Sequence, residues 1–298
     1  MAENKISGNK KVLGAFFVIL ACTLWGSIGL AVRKLTGVGL NTFEIILVRG
    51  VLGSLAIGIY MLIVNPKLFK FDIKDIWIFL GTGILNMLLN ALCYFYCIQI
   101  TDLAIAGALN TTGPMFALIF GCLIFKEKFT AKKGIAIGLT FIGCVLLCRL
   151  SGASKISVLG IVLGIGAGIG YSMYSVFSRF AINKNYNAFT ITFYSLLFSS
   201  VGIAFFCNWD CLAVAATGNW SNWIWLALVG IGDGFLGYIF YTKGLKLVET
   251  GVAAILGSSE LVVSTLIGVL VYKESFTFTI ALGLLMIFAG IFVCSKIE

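Results

Sequence analysis

A handful of polar side chains stand inside long apolar runs, and these residues have chemistry to offer. Asn86 and Asn90 are four apart and share a helix face. Asp233 and Glu260 are isolated carboxylates in two later runs, and Arg49 is an isolated guanidinium in an early one. In hydrocarbon such groups are costly, so they either face a wet cavity or tie helices together by hydrogen bonds. For Asn86 and Asn90 both readings stand; for Asp233 the cavity is favoured, because a carboxylate needs water or a partner. The chain has no histidine, so any proton relay would fall to Asp233 or Glu260. Glu44 is five residues from Arg49 and on a different face. The partner expected for Arg49 is therefore Glu260, Asp233 or a freed carbonyl on another helix.

A second group shapes the site. Asn110-Thr111-Thr112-Gly113-Pro114 places a proline in an apolar run, where it removes one backbone donor and frees a carbonyl. The result is either a hinge, a substrate-facing break, or a plain kink. Trp25, Tyr94, Tyr174 and Tyr241 are the aromatics expected at the cavity wall, where they could stack on a planar or apolar solute. The candidate binding set is thus Trp25, Asn86, Asn90, Tyr94, Asn110, Tyr174, Asp233, Tyr241 and Glu260. Gly113 and Pro114 form the candidate helix break, and Arg49 is the charge-pairing residue. No catalytic set, metal site or cofactor is expected. The cysteines lie mostly in apolar runs as small packing residues. Cys144 and Cys148, one helical turn apart, form no ligand set without histidine, and Cys207 and Cys211 flank an outside loop where a disulfide could form.

These residues must be held by membrane helices. Of 298 residues, 60% are hydrophobic and 11% charged, with mean hydropathy +1.07. A soluble core of this size could not hide that much apolar surface. With spans of about 20 residues, ten fit: roughly 12–32, 43–64, 75–98, 102–125, 133–149, 156–178, 188–207, 222–242, 250–272 and 277–295. The polar N-terminus and the length of the first run do not suit a cleavable signal. The net charge of +9 is spread between the runs and makes no nucleic-acid patch. With the N-terminus in the cytoplasm, fifteen Lys and Arg fall inside and five outside, which places both termini inside. Trp209, Trp220, Trp223 and Trp225 gather around the outside loop before the eighth span, where an aromatic belt belongs.

The spans are organised as a repeat. Shifted by 147 positions, Tyr94, Ala106, Leu109, Gly121, Leu123, Lys126 and Glu127 recur as Tyr241, Ala253, Leu256, Gly268, Leu270, Lys273 and Glu274. Gly14, Arg33, Asn41 and Phe43 recur at a shift of 146 as Gly160, Arg179, Asn187 and Phe189. The shift sets Asn86 against Asp233, and Gly113 against Glu260. The expected fold is an all-α membrane protein of ten transmembrane helices, with residues 1–150 as one five-helix unit and 151–298 as its inverted copy. The turn KEKFTAKK becomes KESFTFTI in the second copy, as orientation demands of a loop on the other side.

Leu24-Trp25-Gly26-Ser27, Arg49 followed by small residues, Pro114-Met115-Phe116-Ala117, and the Lys-Glu-x-Phe-Thr turns at Lys126 and Lys273 resemble the EamA family of the drug/metabolite transporter superfamily. The resemblance covers nearly the whole chain. It implies a ten-helix carrier of the inner (cytoplasmic) membrane, most often an exporter of amino acids or related metabolites, with Trp25, Arg49, Pro114 and Glu260 at family-typical positions. The family often has Glu-Pro in the ninth span; here Glu260-Leu261 predicts a straighter helix. The first span lacks the carboxylate of small multidrug relatives, so a proton-swapping mechanism of that kind does not carry over. The expected function is secondary or facilitated transport of small polar metabolites by alternating access, with protons the candidate coupling ion. The expected partners are a small-molecule substrate and the bilayer, with the chain a monomer or homodimer. An intramembrane enzyme or a non-transporting scaffold is the alternative; the first would want clustered acids and histidines near the surface.

Overall fold

The computed structural model describes residues 8–101, 106, 109–147, 157–273 and 276–295. Cys148, Arg149, Lys155, Glu274, Lys5 and Lys296 lie outside them, as does the boundary between residues 150 and 151. The described residues form helices and no strand. In order these are α1 (Gly8–Thr36), α2 (Thr42–Val64), α3 (76–100), α4 (Gly113–Phe125), α5 (Ala131–Leu147), α6 (Val158–Asn183), α7 (Ala188–Ile203), the short α8 (Trp209–Thr217), α9 (221–245), α10 (Thr250–Gly257), α11 (Ser259–Leu270) and α12 (Phe278–Ser295). Among the described residues, seven stretches are long and apolar enough to cross a bilayer, with α10 and α11 together making one of them. Of the ten expected spans, 102–125 and 133–149 include residues outside the described ones. Gly113–Phe125 and Phe278–Val293 are shorter apolar helices, and α5 has 17 residues. Large apolar side chains cover the outside, among them Ile63, Leu123, Val158, Phe205 and Phe278. So broad an apolar surface suits lipid rather than water.

Repeated sequence positions become repeated local devices. Asn41 and Asn187 are both N-caps, accepting from Phe43 N at 2.8 Å and Phe189 N at 3.1 Å. Asn41 completes a capping box with Glu44, whose Oε2 accepts from Asn41 N at 2.8 Å. The other Glu44 oxygen accepts from Asn208 N at 2.7 Å, so this fully buried acid also fastens the loop before α8. Lys126 and Lys273, the lysines of the two Lys-Glu turns, both adopt left-handed backbone, φ 57° and 54°. That conformation ends a helix sharply and is uncommon for a residue with a Cβ. At the end of α6, the Lys184 ammonium bonds Asp75, which holds the lysine above its ordinary pKa.

The repeat extends to packing. α1 lies against α9 and α11, and its counterpart α6 lies against α3 and α4. α2 packs on α7 and α9, while α7 packs on α2 and α3. α5 pairs with α12, and α4 with α10. α3 and α9 also share a departure from α geometry: each contains a π-helical stretch, Gly81–Leu88 and Leu228–Gly237. Asn86 and Asp233 lie within them. The wider π turn re-aims side chains and is common at functional sites.

One expectation about helix breaks takes a definite form and the other is corrected. Pro114 does not weaken a continuous helix. The chain turns at Thr111-Thr112, and Pro114 occupies the first turn of α4, where a missing N–H costs nothing. The ninth apolar run, expected to be straight without a proline, is interrupted at Ser258. Its N–H bonds back to Ile255 O at 3.1 Å, a tightened turn that separates α10 from α11. Side-chain-free Gly257 precedes it, and a serine suits a turn better than a helix interior. Cys207 and Cys211 are free thiols, with Cys207 Sγ donating to Ile203 O.

Candidate functional site

A cavity of about 410 Å³ opens at the centre of the bundle, a size typical of small-molecule sites. All nine candidate binding residues line it: Trp25, Asn86, Asn90, Tyr94, Asn110, Tyr174, Asp233, Tyr241 and Glu260. Arg49 lines it too. Gly113 and Pro114 do not. Pro114 borders a smaller neighbouring cavity, and Gly113 sits so close to Tyr171 that a Cβ on it would lie 2.6 Å from the ring.

Arg49 Nη1 meets Asp233 Oδ2 at 3.3 Å, joining α2 to the π stretch of α9. This is the cross-helix partner that the faces of α2 demanded, and Glu260 is bonded instead by Tyr171, whose hydroxyl donates to Oε2 at 3.2 Å. The Arg49 guanidinium also lies 5.7 Å from the Tyr238 ring. Asp233 is fixed from its backbone as well: Trp25 Nε1 donates to Asp233 O at 3.3 Å. Two glycines allow these approaches. A Cβ on Gly237 would fall 2.5 Å from Trp25 Nε1, and one on Gly26 would fall 2.6 Å from Glu260 O. Small residues thus let α1 reach both α9 and the α10–α11 break.

The two asparagines sit differently. Asn90 Nδ2 donates to Asn110 Oδ1 and to Ala167 O, each at 2.8 Å, tying α3 to the turn before α4 and to α6. Asn86 is buried yet faces the cavity. The aromatic wall is larger than expected. Trp25, Tyr174, Tyr238 and Tyr241 form one cluster, with ring centroids 4.8 to 5.9 Å apart. The Tyr174 hydroxyl bonds Thr242 at 2.6 Å and Tyr241 bonds Ser175 at 2.7 Å. Tyr171, Ser175 and Tyr238 were missed as lining residues. Tyr171 and Tyr174 are three apart, as are Tyr238 and Tyr241, so helical spacing alone put each pair on one face.

The two ends of the cavity differ. Its lining climbs past Ile28 and Ile45 to Val32 and the exposed Thr42, beside the α1–α2 turn. At the opposite end the chain is locked. Glu127 accepts from Thr250 N at 2.8 Å and Gly251 N at 3.2 Å, capping α10 across the bundle. Lys133 forms an ion pair with Glu249 and donates to Lys128 O at 2.8 Å. Arg179 bonds Thr250 Oγ1 at 3.0 Å and also Val248 O. Two of the lock positions carry different partners in the other repeat. The counterpart of Lys133 there is Ile280, and Arg33, the counterpart of Arg179, stacks on Tyr272 at 3.9 Å.

The profile of the EamA-like transporter family matches residues 12–149 and again 158–296. An uncharacterized transporter of Archaeoglobus fulgidus is 27% identical over 285 residues, 94% of this chain and 95% of that one. The uncharacterized transporter YxxF of Bacillus subtilis is 22% identical over 97% of this chain and 91% of its own. The pseudopaline exporter CntI of Pseudomonas aeruginosa is 24% identical over 93% and 94%. A solved crystal structure superposes with a TM-score of 0.78 at 17% identity, covering 95% of this chain and 96% of the other, which speaks for the fold alone.

Proposed function

Because the chain belongs to the EamA-like transporter family, we propose that it is an exporter of small polar metabolites, amino acids or related compounds, working by alternating access. Residues 1–150 and 151–298 act as two inverted five-helix repeats, and ten spans enclose the central cavity. The matched π stretches, the matched caps and the exchange-symmetric helix packing support that arrangement. The excess of Lys and Arg on the locked side supports cytoplasmic termini in the cell membrane, which makes the conformation outward-open.

The observation that carries the reading is a cavity lined by Arg49, Asp233, Glu260 and two asparagines that reaches the exposed Thr42, together with the Glu127 and Lys133 contacts across the bundle. Its acids and guanidinium suit a solute with both an amino group and an anionic or hydrogen-bonding end: Glu260 faces the former, and the Arg49–Asp233 pair presents a donor to the latter. The tyrosine and tryptophan cluster gives an apolar wall for the solute's body. Transport then requires the Glu127, Lys133 and Arg179 contacts to break while the outer mouth closes. The kinship with a protein named as the pseudopaline exporter supports export rather than uptake.

The test is flux through proteoliposomes loaded with a panel of amino acids. Wild-type protein is expected to move at least one of them, with Asp233→Asn and Glu260→Gln each abolishing or reshaping the flux while eluting as folded protein. Unchanged flux in the double substitution at several pH values would remove both carboxylates from the mechanism.

A further inference from the structure

Beside the main cavity lies a smaller one of about 70 Å³, set between the two helix breaks. We propose that it binds a monovalent metal cation of sodium size, and that Glu260 links this ion to the main cavity. The inference adds an ion to the carrier reading and is tested without transport.

The small cavity is lined by oxygen donors and by the Cys144 thiol. Asn110 and Thr111 border it from the turn before α4, Ser258 and Glu260 from the α10–α11 break, and Tyr171 from α6. Pro114 and Leu261 help close it with apolar atoms. Ser258 is 5% exposed, and its Oγ is buried with no hydrogen-bond partner. A buried hydroxyl left that way is destabilising, and something must satisfy it. Asn110 Oδ1 accepts from Asn90 and retains a second lone pair. One carboxylate and neutral oxygens make a hard site of low charge. That suits a monovalent ion, since calcium and magnesium sites draw on more carboxylates or on substrate phosphates. The volume has room for about two waters or for an ion with one water.

Glu260 borders both cavities. An ion at the break neutralises its charge, and a solute amine in the main cavity competes for the same carboxylate. The two ligands are therefore coupled through one side chain, and the coupling is reciprocal. Broken helices at mid-membrane commonly hold coupling ions by this means.

The experiment is thermal unfolding of the purified full chain in detergent, with sodium chloride titrated against choline chloride at constant ionic strength. A saturable rise in Tm with sodium is expected, larger than with potassium. Ser258→Ala should raise the half-saturating sodium concentration by about tenfold or more, the order seen when a metal site loses a supporting group. If Ser258→Ala does not fold, Asn110→Ala with its intact Glu260 serves the same comparison. Equal Tm in sodium and choline, or a sodium response unchanged in the variant, overturns the proposal. A response to pH alone overturns it in favour of a proton. Flux in sodium-free buffer leaves the carrier reading standing on its own.

Discussion

The Arg49–Asp233 pair gives the most direct measure of how dry the centre of this bundle is. At 3.3 Å, two unit charges attract by about 1 kcal/mol in water and about 5 kcal/mol at an effective dielectric of 20. The side chains are 19% and 2% exposed, so the coupling should lie nearer the upper figure than the lower. Arg49→Met leaves the Asp233 carboxylate buried without its guanidinium, an arrangement that costs about 3 to 5 kcal/mol. Asp233→Asn should cost less, because the guanidinium keeps the Tyr238 face and its place on the cavity wall. In a double-mutant cycle read by reversible unfolding in mixed micelles, the double variant Arg49→Met with Asp233→Asn should lose less than the sum of the singles, by about 2 to 5 kcal/mol. A coupling within about 0.5 kcal/mol of zero would refute the reasoning. The charges would then be fully solvated, and the pair would not hold α2 against α9.

The locked end yields a second test. Glu127→Gln weakens the cap on α10, and the Thr250 and Gly251 amides should exchange hydrogen about tenfold faster, with amides in α5 unaffected. Glu44→Ala removes acceptors from both Asn41 and Asn208, and unfolding should show a loss of about 1 to 3 kcal/mol. A lysine held above its ordinary pKa contributes stability that is complete below that ordinary value and fades as pH rises through the higher folded one. Wild-type protein should therefore keep the Lys184–Asp75 contribution through mildly alkaline pH, and Asp75→Asn should lower Tm there, the two curves converging only above the lysine range.

Much of the fold was legible because the bilayer leaves few options. Apolar runs of span length between charged turns locate helices, since hydrocarbon forbids any other single-segment structure. The recurrence of Asn41 and Lys126 at Asn187 and Lys273 marked equivalent caps and turns, because each local device depends on a few neighbouring residues. The residues facing the cavity were legible too. A polar side chain at mid-span has few places to go, and all nine candidates line one space.

The sequence by itself determined that helices exist, roughly where they run, and which side chains are too polar for lipid. It also narrowed Arg49 to a partner on another helix. Tertiary structure decided that this partner is Asp233 and not Glu260, that the ninth run breaks at Ser258 with no proline to mark it, that α3 and α9 each widen to π geometry, and that one end is locked by Glu127, Lys133 and Arg179. The physical reason is range. Apolarity and capping act within a turn or two of chain, whereas the ion pairs and the locking contacts join groups 69 to 184 residues apart that meet only after the bundle has packed.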